Sequence, residues 1–127
     1  MIMPSNIVIT AGSIRLEAEL NATFTAQAIR NILPLTAAAN TWGDEIYFSI
    51  PMTLELENGQ EVVEMGDLGY WPPGRAFCIF FGTTPASQGD EIRSASKVTI
   101  IGKVQGEVTS LKQVSAGEQV SIEAATE

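Results

Sequence analysis

Histidine is absent from the 127 residues of this chain. Its absence removes the general base of a Ser-His-Asp triad, the partner of an activated cysteine and the imidazole ligands of many metal centres. The one cysteine, Cys78, can close no disulfide within the chain and cannot build a Cys-rich zinc site. It therefore says nothing firm about redox compartment. Cations are scarce as well. Seven Lys and Arg against 15 Asp and Glu leave a formal charge of -8, the wrong sign for a surface that must follow a phosphate backbone. No apolar run approaches the roughly 20 residues of a membrane-spanning helix. The opening Met-Ile-Met-Pro-Ser-Asn has neither the basic region nor the long apolar stretch of a secretory signal. These exclusions point to a cytoplasmic protein with no nucleic-acid or membrane partner and no call for a metal or cofactor.

What is present is enough for a core. Hydrophobic residues make up 45% of the chain and charged residues 17%, so a single domain over residues 1–127 is expected, with 1–5 as a loose tail. Residues 6–20 alternate apolar and polar on both sides of Gly12-Ser13, the pattern of a hairpin with one wet face. Glycine first in the two-residue loop suits a II′ turn. Over 23–33, Phe24, Ala28 and Ile32 recur at helical spacing behind the candidate N-cap Thr23, and Pro34 should end the helix near Leu33. Residues 36–41 are small and polar and read as a loop.

Ile46, Phe48 and Ile50 alternate with Glu45, Tyr47 and Ser49, a half-buried strand stopped by Pro51. Met52, Leu54 and Leu56 alternate with Thr53, Glu55 and Glu57 ahead of Asn58-Gly59, so a second hairpin returning through Val62–Met65 is expected. Leu68–Trp71 is a strand, Pro72-Pro73-Gly74 a turn, and Ala76–Gly82 a strand apolar on both faces. Thr83–Lys97 reads as a long polar loop, and loops of that length are often functional. A strand over Val98–Val104, a short helical piece over Thr109–Val114 and a last strand over Gln119–Ala124 complete the chain. About eight short strands joined mostly by hairpins favour a mainly β fold, a closed antiparallel barrel with one longer and one short helix, since closure removes exposed edges.

The order of these pieces resembles the cyclophilin-like fold. Ile7 to Leu20 followed by Thr23 to Leu33 is similar to the first hairpin and helix of cyclophilins. Gly74-Arg75-Ala76-Phe77-Cys78-Ile79-Phe80-Phe81 resembles their Gly-x-x-Phe-Phe-Ile strand, and Ile101-Gly102-Lys103-Val104 their Phe-Gly-Lys-Val. Leu111, Val114, Gly117 and Val120-Ser121-Ile122 resemble the closing helix and strand. Trp42–Phe48, Gly66–Gly74 and Phe80–Ser87 resemble signature stretches of a prokaryotic family of short, stand-alone cyclophilin-like proteins of unknown function. The resemblance implies a barrel, and in true cyclophilins prolyl isomerisation by a strand arginine beside a pocket lined by tryptophan and histidine. Here the corresponding strand, Gly43-Asp44-Glu45-Ile46, is acidic, and Thr83–Lys97 holds neither tryptophan nor histidine. The expected function is therefore a binding module for a small molecule or short peptide. The alternative is an enzyme, either a divergent peptidyl-prolyl isomerase or a hydrolase-like barrel acting on a cyclic amide. A homodimer built on an apolar patch around Asn58-Gly59 is a third role.

Six residues are the candidates for the binding cleft: Tyr47, Trp71, Arg75, Asp90, Glu91 and Arg93. Trp71 precedes Pro72, which holds it extended beside a tight turn. There it either walls a pocket or plugs a barrel end. Arg75 follows the same turn and offers five N–H donors in place of the missing arginine, or simply pairs a surface carboxylate. Asp90 and Glu91, with Arg93 two residues on, could meet a strand carboxylate across a cleft, although loop charges are usually solvated. Asp44 and Glu45 are adjacent and so point to opposite faces of a strand. Trp42 and Tyr70 are further aromatics of interest. Phe77, Phe80, Phe81 and Cys78 read as core. Gly82-Thr83-Thr84-Pro85 lacks the glycines and lysine of a phosphate loop.

Overall fold

The computed structural model describes residues 5–125. Strands β1 (Ser5–Ala11) and β2 (Ile14–Leu20) form the first hairpin, and helix α1 (Phe24–Arg30) follows. Next come β3 (Leu35–Ala38), β4 (Asn40–Thr41), β5 (Glu45–Ser49), β6 (Gln60–Val63), β7 (Asp67–Trp71) and β8 (Ala76–Phe80). The long β9 (Ile92–Gln105), a 3-10 turn over Val108–Gln113 and β10 (Gln119–Ala124) close the chain. Every ladder is antiparallel, in the order β3-β10-β1-β2-β9-β7-β8-β5-β4, with β6 added on β9.

Alternation along the strands divides the side chains between two faces. The inner face collects Ile7, Ile9, Leu16, Ala18, Leu20, Ile46, Phe48, Leu68, Tyr70, Phe77, Ile79, Ile101, Val120 and Ile122 into one buried cluster. Ala26 and Ile29 of α1 and Leu111 of the 3-10 turn close it. Phe48 and Phe77 stack there with ring centroids 5.4 Å apart. The outer face carries a second, smaller cluster of Val63, Ala76, Cys78, Phe80, Ile92 and Val98, with Tyr47, Trp71 and Ile100 packed at its margin. The first part of β9 and its partner β6 lie over it, pairing Val63 with Ile92 and Gln60 with Val98. Gly69 lets them close down, since a Cβ there would meet Val98 and Phe80 at 3.3–3.4 Å.

Several expectations from the sequence are corrected. The tail over residues 1–5 falls outside the described residues up to residue 4, and Ser5 already belongs to β1. Helix α1 stops at Arg30, ahead of Leu33, and its last turn loosens into bonds from Ile32 N to Ile29 O and from Leu33 N to Arg30 O. Residues 52–57 form no strand and Asn58-Gly59 joins no hairpin. Side chains hold this segment instead. Tyr70 donates its hydroxyl to Met52 O (2.9 Å) and accepts from Leu54 N (3.1 Å). Glu57 accepts from the backbone N–H groups of Phe24 and Thr25 and from the Thr25 hydroxyl. It thereby caps α1 together with Thr23, whose hydroxyl accepts from Ala26 N. An alternating pattern without a backbone partner became a strap across the sheet.

The small residues of 36–41, expected to be a loop, pair at both edges of the sheet, because backbone bonds to β10 and β5 override weak side-chain preference. This is also why the barrel is not closed by its ladder. Among the described residues the sheet ends at β3 on one side and β4 on the other. One segment supplies both ends, changing partner at buried Ala39, whose N–H donates to Glu118 O and whose carbonyl accepts from Gly117 N. The polar loop over 83–97 is shorter than expected, since Ile92 already starts β9.

Candidate functional site

Residues Trp42, Glu45, Tyr47, Trp71, Ser94 and Ala95 line a cleft of about 210 Å³ beside the outer cluster. One wall begins at the turn before β5. Gly43 takes φ +60°, and a Cβ there would come within 2.9 Å of Thr84 Cα and Pro85 Cδ. Trp42 N donates to Glu45 O (3.0 Å), Asp44 N to Thr83 O (2.9 Å) and Phe81 N to Asp44 O (2.9 Å). From this anchored start, alternation sends Ile46 and Phe48 inward and leaves Glu45 and Tyr47 on the cleft. Asp44 lies outside the lining and approaches Lys112, Oδ2 to Nζ 3.7 Å.

The opposite wall is pinned in two ways. The Trp71 indole N–H donates to Ser96 Oγ at 2.7 Å. The ring also lies so close over the Pro-Pro-Gly turn that a Cβ at Gly74 would sit 2.8 Å from it. Ser94 and Ala95 extend this wall from β9. Behind them, Ser87 Oγ accepts from Thr84 N (2.9 Å) and Arg93 N (3.2 Å), and Thr84 donates its hydroxyl to the Arg93 carbonyl. The loop after β8 is thus tied to the start of β9.

Glu45 is 5% exposed. Burial pushes its carboxyl up to about 7, and a hydrogen bond with Cys78 offsets only part of that rise. Cys78 lies beneath, fully buried, and its thiol is held well above the ordinary range by burial first and by the Glu45 charge and hydrogen bond next. It is therefore an inert thiol. Its single S–H has two acceptors, Glu45 and Ala76 O at 3.8 Å. The ionised carboxylate is the stronger of the two. Among the described residues no lysine or arginine pairs with Glu45.

Of the six residues named from sequence, the structure brings Tyr47 and Trp71 together on the cleft. Arg75 ends the 3-10 turn Pro72–Gly74 with φ +48° and is exposed, outside the lining. Asp90 is exposed in the turn ahead of β9. Arg93 turns away from the cleft, with Nε 2.6 Å from Glu91 Oε2 and Nη1 2.8 Å from Glu61 Oε1. Its guanidinium holds the Glu91 carboxyl below the usual range. These two charges are spent on each other. Glu45, Trp42, Ser94 and Ala95 were absent from the sequence-based set. The signal for Glu45 was present, because alternation put it on the face of Tyr47. Ser94 and Ala95 gave no signal, because they fall where a loop was expected. Among the described residues no group of three or more carboxylates and thiols is placed to hold a metal, and no helix is long and apolar enough to cross a membrane.

No curated protein matches the chain. Among solved structures, the solution structure of a hypothetical protein from Archaeoglobus fulgidus is similar. It is 43% identical, covers 96% of this chain and 95% of its own, and superposes with a TM-score of 0.81. The family model described as cyclophilin-like matches residues 5–123. The match takes in the hairpin, the helix, both walls of the cleft and the closing strand, and by it the chain belongs to the cyclophilin-like family.

Proposed function

We propose that this chain binds a small molecule in the cleft between Glu45 and Trp71 and does not use the prolyl-isomerase chemistry of true cyclophilins. The observation that carries the proposal is a buried carboxyl that meets no lysine or arginine among the described residues and faces aromatic walls that are already fixed, with the Trp71 ring clamped between Ser96 and Gly74. Pre-formed concavity with a few placed polar groups is the usual form of a ligand site. A volume of about 210 Å³ lies below the range common for drug-sized ligands, so the occupant is compact. A peptide would enter by one side chain only. Both tryptophans of the chain line the cleft, so intrinsic fluorescence reports on it directly. Titration with a library of compact polar fragments is expected to give saturable changes that the Tyr47→Leu variant weakens. A library without a saturable binder contradicts the proposal.

A second reading, an enzyme, draws on one observation. A carboxyl titrating near 7 is suited to general acid or base work at neutral pH. If it applies, Glu45→Gln abolishes an activity that the parent protein shows on prolyl peptides in a protease-coupled assay or on cyclic amides. Isomerisation at the uncatalysed rate and intact cyclic amides reject it.

A further inference from the structure

The charge and lining of the cleft carry the binding proposal one step further. Three of its lining residues are aromatic, Trp42, Tyr47 and Trp71, and the one charged group among them is the Glu45 carboxyl. An aromatic face attracts a cation through its quadrupole, and walls of tryptophan and tyrosine beside a carboxylate are the arrangement that holds alkylated ammonium groups. The lining holds no lysine or arginine to receive an anion. Arg93, the nearest cation in sequence to the Ser94 wall, is engaged by Glu61 and Glu91, and Arg75 lies outside the lining. A phosphate or carboxylate ligand would bring its charge to a buried acid with no lysine or arginine in the lining to offset it. The whole chain, at -8, favours the approach of cations as well.

Resting on the small-molecule reading, we propose that the ligand is a compact organic cation, an alkylated or quaternary ammonium compound, whose charged head sits among Trp42, Tyr47 and Trp71 against the Glu45 carboxylate.

Binding of a cation requires Glu45 to ionise. The groups around it are Cys78 from β8, whose thiol stays protonated, the neutral hydroxyl of Ser94 from β9, and Trp42 and Tyr47 from its own segment. Asp44 faces Lys112 instead. Glu45 is thus the group whose protonation gates the site. With its carboxyl near 7, affinity for a cation should rise about tenfold between pH 6 and pH 8, as the ionised fraction grows.

The test is calorimetric titration of the full chain with choline and tetramethylammonium, and in parallel with 3,3-dimethylbutan-1-ol, a neutral compound of choline's shape. The expected result is saturable binding of both cations, about tenfold tighter for choline than for the alcohol. Affinity for the cations should rise with pH, and that for the alcohol should not. Glu45→Gln should remove the pH dependence and most of the preference for charge while still binding the alcohol. If Glu45→Gln does not fold, Tyr47→Leu, which leaves the carboxyl in place, should weaken the cations more than the alcohol. Equal affinity for cation and alcohol, or binding of neutral or anionic fragments with none of the cations, overturns the assignment and leaves the cleft a binding site. Absence of every fragment and every cation overturns the binding reading itself.

Discussion

The two faces of the sheet are built from the same strands and have opposite fates. On β5, Ile46 and Phe48 enter a core closed by a helix, a 3-10 turn and the strap through Met52 and Leu54, while Glu45 and Tyr47 look out at a cleft. On β8, Phe77 and Ile79 face inward, and Cys78 and Phe80 belong to the outer cluster. The difference lies in the cover. The inner face is sealed along its length, and its one phenol, Tyr70, is satisfied by two backbone groups. The outer face is covered only by β6 and the first part of β9, so a cluster too small to fill its own margin leaves an opening beside it. A fold of this size keeps its stability on one face and can use the other as a site.

The largest effect is expected on the inner face. Phe77→Ala removes a ring stacked on Phe48 in the sealed core and should cost about 3–5 kcal/mol in urea unfolding. A loss much smaller than this would mean that the inner face is not the main support of the fold.

The next effect has the opposite sign. Glu45 has a folded value near 7 against 4.5 when exposed, so between those two pH values the folded state holds more of its proton and stability falls as pH rises. Below about pH 4.5 the carboxyl is neutral in both states and the penalty vanishes; above pH 7 it is full. Glu45→Gln should therefore stabilise the protein at pH 8 by on the order of 3 kcal/mol and leave it nearly unchanged at pH 4. Urea melts of both proteins at the two pH values check this. Destabilisation at pH 8 would mean that the charge is compensated and the cleft is not built around a costly group.

The smallest effect sharpens the picture of the outer wall. Ser96→Ala removes the acceptor of the Trp71 indole N–H and should cost about 1 kcal/mol. The clearer readout is spectral, since a loosened indole should shift its emission and weaken the binding proposed for the cleft. Unchanged emission and unchanged affinity would show that the wall needs no such support.

What could be read from the sequence follows the same division. Strands with one wet face and one dry face announce themselves, so Ile7 to Leu20, Ile46 to Ile50 and Val120 with Ile122 were legible from period-two alternation. So were the turns at Gly12-Ser13 and Pro72-Pro73-Gly74. Elements held by backbone alone were not. Leu35–Ala38 and Asn40–Thr41 are strands because two edges needed partners, and Ile92 and Arg93 are strand because they pair with Val63 and Val62 of β6, with Ser94, Ala95 and Ser96 carried across the register shift that follows. The reverse error came at 52–57, where alternation was real but its partners were the Tyr70 hydroxyl, the Thr99 hydroxyl and the end of α1.

For the site, chain order misled in a specific way. Asp90, Glu91 and Arg93 are close in sequence and charged, so they read as a cluster with a task, yet Glu91 and Arg93 satisfy each other. Glu45 was read as a departure from the cyclophilin pattern. Its burial against Cys78 depends on strand pairing between β5 and β8, which no local pattern discloses.

The proposed site depends on Glu45 being a desolvated carboxyl in the cleft. The most direct test is to follow the Glu45 side-chain carboxyl carbon by NMR through a pH titration of the free protein. A midpoint about 7 agrees with the account. A midpoint at the ordinary 4.5 would show a solvated surface acid and contradict it.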